Sequence, residues 1–203
     1  VSRKGIEAIG YLSPAQQGIL FHSLEAPDSG VYLGQTSWLL EGPLDAQAFE
    51  GAWQQALERH SILRTAFVWE GVEEPVQVVR QKVPLPIEFE DWSGLDEAEA
   101  EQRLERFLEE DRARTFSLTK PPLLRLSLLR LGPERHRLLW SSHHLLLDGW
   151  SKALVLQDVI TLYEALLRGQ TPALPRPRPF LDYIRWLRQQ DLGEVERYWR
   201  GTL

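Results

Sequence analysis

Between residues 123 and 167 the apolar pattern changes from strand-like to helical, and that change limits the architecture more than any other feature of the chain. Residues 123–131 and 137–140 read as two strands separated by Gly132-Pro133-Glu134. Residues 152–167 then carry Leu156, Ile160, Tyr163 and Leu167 as the buried side of a long helix, closed by Arg168-Gly169. A strand pair running into so apolar a helix requires a sheet with helices packed on it.

The remaining segments repeat that alternation. Ser13-Pro14 predicts a helix start, with Ser at the cap and Pro in the first turn, and Ile19, Leu20, Phe21 and Leu24 supply its apolar face. Residues 32–40 read as a strand that stops at Gly42-Pro43. From 45 to 60, Ala48, Phe49, Ala52, Trp53, Ala56 and Leu57 recur at helical spacing. Residues 63–69 and 76–80 read as strands joined by a hairpin loop, and a short extended piece follows at 87–89. Residues 96–114 read as a charged helix with acids early and arginines late, the order its dipole favours, and Leu104, Phe107 and Leu108 as its buried stripe. Four prolines in residues 171–179 predict an extended linker, and 180–199 a helical end interrupted near Gly193. The fold class expected is α/β (α+β), a mixed sheet covered by helices.

Composition removes several function classes. A net charge of −6 without a basic region gives nucleic-acid binding no electrostatic support. The absence of cysteine rules out disulfides, thiolate zinc sites and cysteine nucleophiles, and suits a reducing compartment. No apolar run is long enough to span a bilayer, and residues 1–6 lack the apolar core of a signal peptide, so the expected location is the cytoplasm. The chain contains no Met, even at position 1, as expected of a segment cut from a longer polypeptide.

The chemistry concentrates at Ser142-His143-His144-Leu145-Leu146-Leu147-Asp148-Gly149-Trp150-Ser151. Consecutive side chains of a strand point to opposite faces, so His143 and His144 cannot share one site. One holds local structure while the other meets a substrate. Asp148 has three roles open to it: capping the helix, orienting an imidazole or pairing with a buried arginine. Gly149 allows a positive φ or close approach of a ligand. The plainer alternative makes both histidines satisfied polar groups at a strand end and Asp148 only a cap. No third ligand stands at suggestive spacing for a metal, and no Gly-x-Ser-x-Gly elbow, phosphate loop or dinucleotide fingerprint is present. What remains is direct transfer between two bound substrates, assisted by one imidazole.

At these residues the chain resembles the condensation domains of non-ribosomal peptide synthetases, whose signature is His-His-x-x-x-Asp-Gly. Residues 11–22, Tyr-Leu-Ser-Pro-Ala-Gln-Gln-Gly-Ile-Leu-Phe-His, are similar to the family's opening motif. Residues 59–67, Arg-His-Ser-Ile-Leu-Arg-Thr-Ala-Phe, resemble its second and residues 180–186, Phe-Leu-Asp-Tyr-Ile-Arg-Trp, its fourth. The resemblance implies the N-terminal lobe of a chloramphenicol-acetyltransferase-like fold over residues 1–203, with the C-terminal lobe absent and the isolated fragment inactive.

It further implies amide-bond formation between donor and acceptor thioesters. Both are carried on the phosphopantetheine of peptidyl carrier proteins, beside an adenylation domain, with no cofactor bound directly. Carried over by position, His144 is catalytic. His143 supports the loop, and Asp148 forms a salt bridge for which Arg64 is the candidate partner. Gly149 lets its backbone approach the thioester. His22 and His60 are expected to be structural. The alternatives are an epimerisation domain of the same superfamily, which shares the double histidine, and a non-catalytic module that docks carrier proteins.

Overall fold

The computed structural model describes residues 5–27 and 29–202; Val1 to Lys4, part of the stretch read as lacking a leader core, lie outside them. The chain opens with β1 (Ile6–Tyr11) and α1 (Pro14–Glu25), then β2 (Leu33–Glu41) and α2 (Ala46–Arg59). A single 3-10 turn, Ser61–Arg64, leads into β3 (Thr65–Val68), β4 (Val76–Arg80) and β5 (Ile87–Asp91). After α3 (Glu97–Ala113) come β6 (Leu124–Gly132), β7 (Arg135–His143) and α4 (Gly149–Leu167). Two helices, α5 (Phe180–Leu187) and α6 (Leu192–Thr202), follow the proline-rich segment.

The strands form two sheets: a three-stranded antiparallel one in the order β1-β4-β3, and a four-stranded mixed one in the order β2-β7-β6-β5. The mixture comes from β5, which pairs parallel to β6 across the α3 crossover. The main core lies between the larger sheet and the α2–α4 pair. There Trp53 and Trp140, both fully buried, meet edge to face at 5.0 Å between ring centroids. Ala52 and Ala56, 0% exposed, leave room for that packing.

Caps fix the helix starts. Ser13 and Gln16 form a reciprocal capping box on α1, as do Asp96 and Glu99 on α3, while Asp45 caps α2. The helical end is interrupted at residues 188–191, close to Gly193 as expected. β1 lay unread in the sequence. Two expectations are corrected. The first part of the 63–69 strand is 3-10 turn. The buried stripe of α4 is Val155, Val159, Leu162 and Ala165, whereas Ile160 and Leu167 are half exposed. Among the described residues no helix is long and apolar enough to cross a membrane.

Candidate active site

The double histidine sits where β7 ends. His143 is the last residue of the strand and His144 the first of the turn that follows, so the two rings part company. The His144 backbone N–H donates to the Tyr32 carbonyl at 2.9 Å, and that of His143 to the Leu123 carbonyl at 3.0 Å. Leu145, Leu146 and Leu147 sink into the core and anchor the turn, which leaves His144 exposed between buried neighbours.

Hydrogen bonding fixes the tautomer of each ring. The His143 Nδ1 accepts from the Leu145 N–H at 3.2 Å. Its Nε2 lies 3.4 Å from the Ser23 hydroxyl, which is committed as donor to the Ile19 carbonyl. His143 is therefore neutral and protonated on Nε2. Burial, reinforced by the neighbouring His144 imidazole, holds its pKa down at about 4. His144 is arranged the other way. Its Nδ1 lies 3.1 Å from the Leu147 carbonyl, which can only accept, so Nδ1 carries a proton and in the neutral ring the Nε2 lone pair is free.

Groups from two elements stand at that lone pair, and a third element braces the turn. Gly34 of β2 faces it, and a Cβ there would lie 3.2 Å from the His144 Nε2 and 3.1 Å from the Lys152 Nζ. Lys152, in the first turn of α4, is half-buried and donates to the Gly34 carbonyl at 3.3 Å. Burial holds its ammonium pKa below the usual lysine range. Gln16, buried on α1, donates to the Leu145 carbonyl at 3.0 Å and so ties the opening motif to the histidine turn. Beside His143 lies a cavity of about 360 Å³ bounded by Ser23, Tyr32, Trp69, Phe116 and Leu118.

Asp148 is the N-cap of α4: its Oδ1 accepts from the Ser151 N–H at 2.7 Å. That bond holds its carboxyl below the usual range. The pairing expected with Arg64 does not form. Arg64 is buried and its Nη1 meets Glu7 Oε2 at 2.7 Å, with Nε on the Leu57 carbonyl and Nη2 on the Glu58 carbonyl. Its guanidinium also donates to the Arg80 carbonyl, so it fastens the end of α2 to the edge strand β1 and the central strand β4 of the smaller sheet. Arg64 and the start of α4 line one cleft without touching. Gly149 does not take a positive φ, and a Cβ there would meet nothing within 4 Å. His60 pairs with Asp158 of α4 at 2.9 Å, in keeping with a structural role, and His22 is exposed on α1.

Three supporting residues escaped the sequence reading: Gly34, Lys152 and Asp111. A glycine inside a strand signals close approach of another group, and Gly34 carried that signal. Asp111, buried at the end of α3, gathers Ser141, Gln35 and Arg125 around its carboxylate beneath β7. Burial pushes that carboxyl up, but these hydrogen bonds outweigh it and hold the group ionised.

Residues 6–203 match the family model of the condensation domain. The chain belongs to the condensation-domain family. It is 48% identical over 192 residues to a linear gramicidin synthase polypeptide of Brevibacillus parabrevis, covering 95% of this chain and 2% of that protein. Against bacitracin synthase 3 of Bacillus licheniformis it is 36% identical, covering 99% of this chain and 3% of that protein. The fold matches the starter condensation domain of rhizomide synthetase RzmA with a TM-score of 0.86 at 24% identity, over 97% of this chain and 50% of that one. This condensation-family chain thus spans about half of that solved domain and a small share of the curated synthetases. Of its motif segments, α1 binds the histidine turn through Gln16, while the 59–67 segment ties the end of α2 to β1 through Arg64.

Proposed function

We propose that this chain is the first half of a condensation domain and works in amide-bond formation between a donor thioester and an acceptor α-amine, both carried on phosphopantetheine by carrier proteins. The observation that carries the reading is the free Nε2 lone pair of His144, held outward by the Nδ1 bond to Leu147. The amine attacks the thioester carbonyl, Nε2 takes the proton that the amine gives up, and the thiolate leaves. A free α-amine has a pKa of roughly 7.7–8.0, so about a tenth is already neutral at pH 7. Holding two tethered reactants together therefore shares the acceleration with the base. Carrier and adenylation domains of the same synthetase are the partners, and the cysteine-free chain suits the cytoplasm.

The test is amide formation by the domain completed with its second half, using carrier-bound donor and acceptor. We expect His144→Ala to slow single turnover about 10²-fold, the low end of what a general base supplies, with a measurable residue from positioning. An unaltered rate removes His144 from the mechanism. Exchange of the donor's α-proton without amide formation identifies an epimerisation domain instead. Binding of loaded carrier protein with neither reaction identifies a docking module.

A further inference from the structure

Lys152 stands where a cation is costly. Its ammonium is half-buried in the first turn of α4, at the positive end of the helix dipole. Among the described residues it has no carboxylate partner within 4.0 Å. Its one hydrogen bond, to the Gly34 carbonyl, is long at 3.3 Å, and Nζ lies 5.3 Å from the centre of the Trp140 ring. An ammonium has three donors, and two of these three have no protein acceptor.

The position of those donors is more telling than their number. The Lys152 Nζ and the His144 Nε2 approach the same point at Gly34, 3.1 Å and 3.2 Å from where a Cβ would stand, and glycine offers them only hydrogen. A proton acceptor and a cationic donor therefore flank one small space, walled by β2 on one side and α4 on the other. A carbonyl addition needs this pair, because the attacking nitrogen loses a proton while the carbonyl oxygen gains charge.

We propose that Lys152 is the electrophilic partner of His144, donating a hydrogen bond to the donor thioester's carbonyl oxygen as that oxygen becomes an oxyanion. The inference rests on the functional reading above. As the C–N bond forms, the carbonyl π pair moves onto oxygen and meets the ammonium, while the His144 Nε2 takes the amine proton. On collapse the pair returns to remake C=O and the C–S bond breaks. His144 returns its proton to the departing thiolate, and Lys152 ends unchanged. The transient anion is the counter-charge that the resting cation lacks.

The experiment compares wild type, Lys152→Met, Lys152→Arg and His144→Ala in the completed domain, measuring single turnover of carrier-bound substrates, KM for the donor carrier and melting temperature. Methionine keeps an unbranched apolar stem beside Trp140 and removes the donors. We expect it to slow the chemical step about 10²-fold, the usual loss for one oxyanion donor, with KM unchanged. Arginine, which keeps charge and donors, should recover most of the rate. Full turnover by Lys152→Met beside a crippled His144→Ala overturns the role of Lys152 and leaves the functional reading standing. So does a rate no better with arginine than with methionine. A wild-type domain that forms no amide overturns both. If Lys152→Met does not fold, Gly34→Ala serves, since its methyl displaces both nitrogens; wild-type turnover there overturns the paired geometry.

Discussion

His143 titrates against the fold, and the direction follows from where its proton goes. In the native chain burial keeps the imidazole neutral down to about pH 4, whereas in the unfolded chain it takes a proton near its ordinary value of 6.5. Between those values the unfolded state binds more protons, so stability is full above the window and falls as pH drops through it. The whole effect is on the order of 3 kcal/mol. A His143→Gln chain lacks this titration. The stability gap between it and the wild type, from urea unfolding at steps between pH 7 and pH 4, should narrow as the solution becomes acidic. A gap that stays flat would mean that His143 is not held neutral. The pair of histidines thus divides its labour through neighbours a sequence does not display. Ser23 and Leu145 use up one ring, while Leu147 leaves the other half free.

At the scale of elements, Arg64 has the partner that the sequence concealed. Asp148 looked like its mate because both belong to motif segments, yet Asp148 spends its carboxylate on Ser151 and Arg64 finds Glu7 on β1. β1 itself was invisible because its alternation is inverted. Ala8 and Gly10 point inward while Ile9 and Tyr11 are 57% and 42% exposed, and Gly10 is kept small by Leu181 of α5. A strand that shows its large apolar residues to the outside gives no inward hydrophobic signal. Where the pattern was ordinary, as in α2, α3, β4 and β6, element and type were legible to within a few residues. The stripe of α4 misled because both sides of that helix are apolar and only packing chooses between them. These contacts predict the coupling. Arg64→Ala and Glu7→Gln should be non-additive in stability, whereas Arg64→Ala and Asp148→Asn should add within about 0.5 kcal/mol. Thermal and urea unfolding of the two double-mutant cycles decide it, and coupling in the second cycle would restore the pairing read from the sequence.

At the scale of the whole molecule, the described surface carries several large apolar side chains. Trp150 is 85% exposed and Leu154 63% on α4, directly after the histidine turn, and Trp186 of α5 is 54% exposed. Trp150 and Leu154 stand one turn apart on the same face of α4, and contiguous apolar surface of this kind marks a surface made to be covered. If the domain is completed as proposed, its second half is the cover expected for that surface. His144 is an exposed residue, and an open site gives water access to the thioester and weakens the electrostatics of a developing charge. The 203-residue chain alone is therefore expected to bind an apolar fluorescent dye and to form amide at less than about a hundredth of the completed domain's rate, most of the advantage of holding both substrates being lost. Supplying the second half as a separate polypeptide should lower the dye signal and raise turnover together, because one docking event covers the patch and closes the site. Recovery of turnover with no change in dye binding would place the covered surface elsewhere. Full turnover by the chain alone would show that β2 and α4 suffice to enclose the reaction.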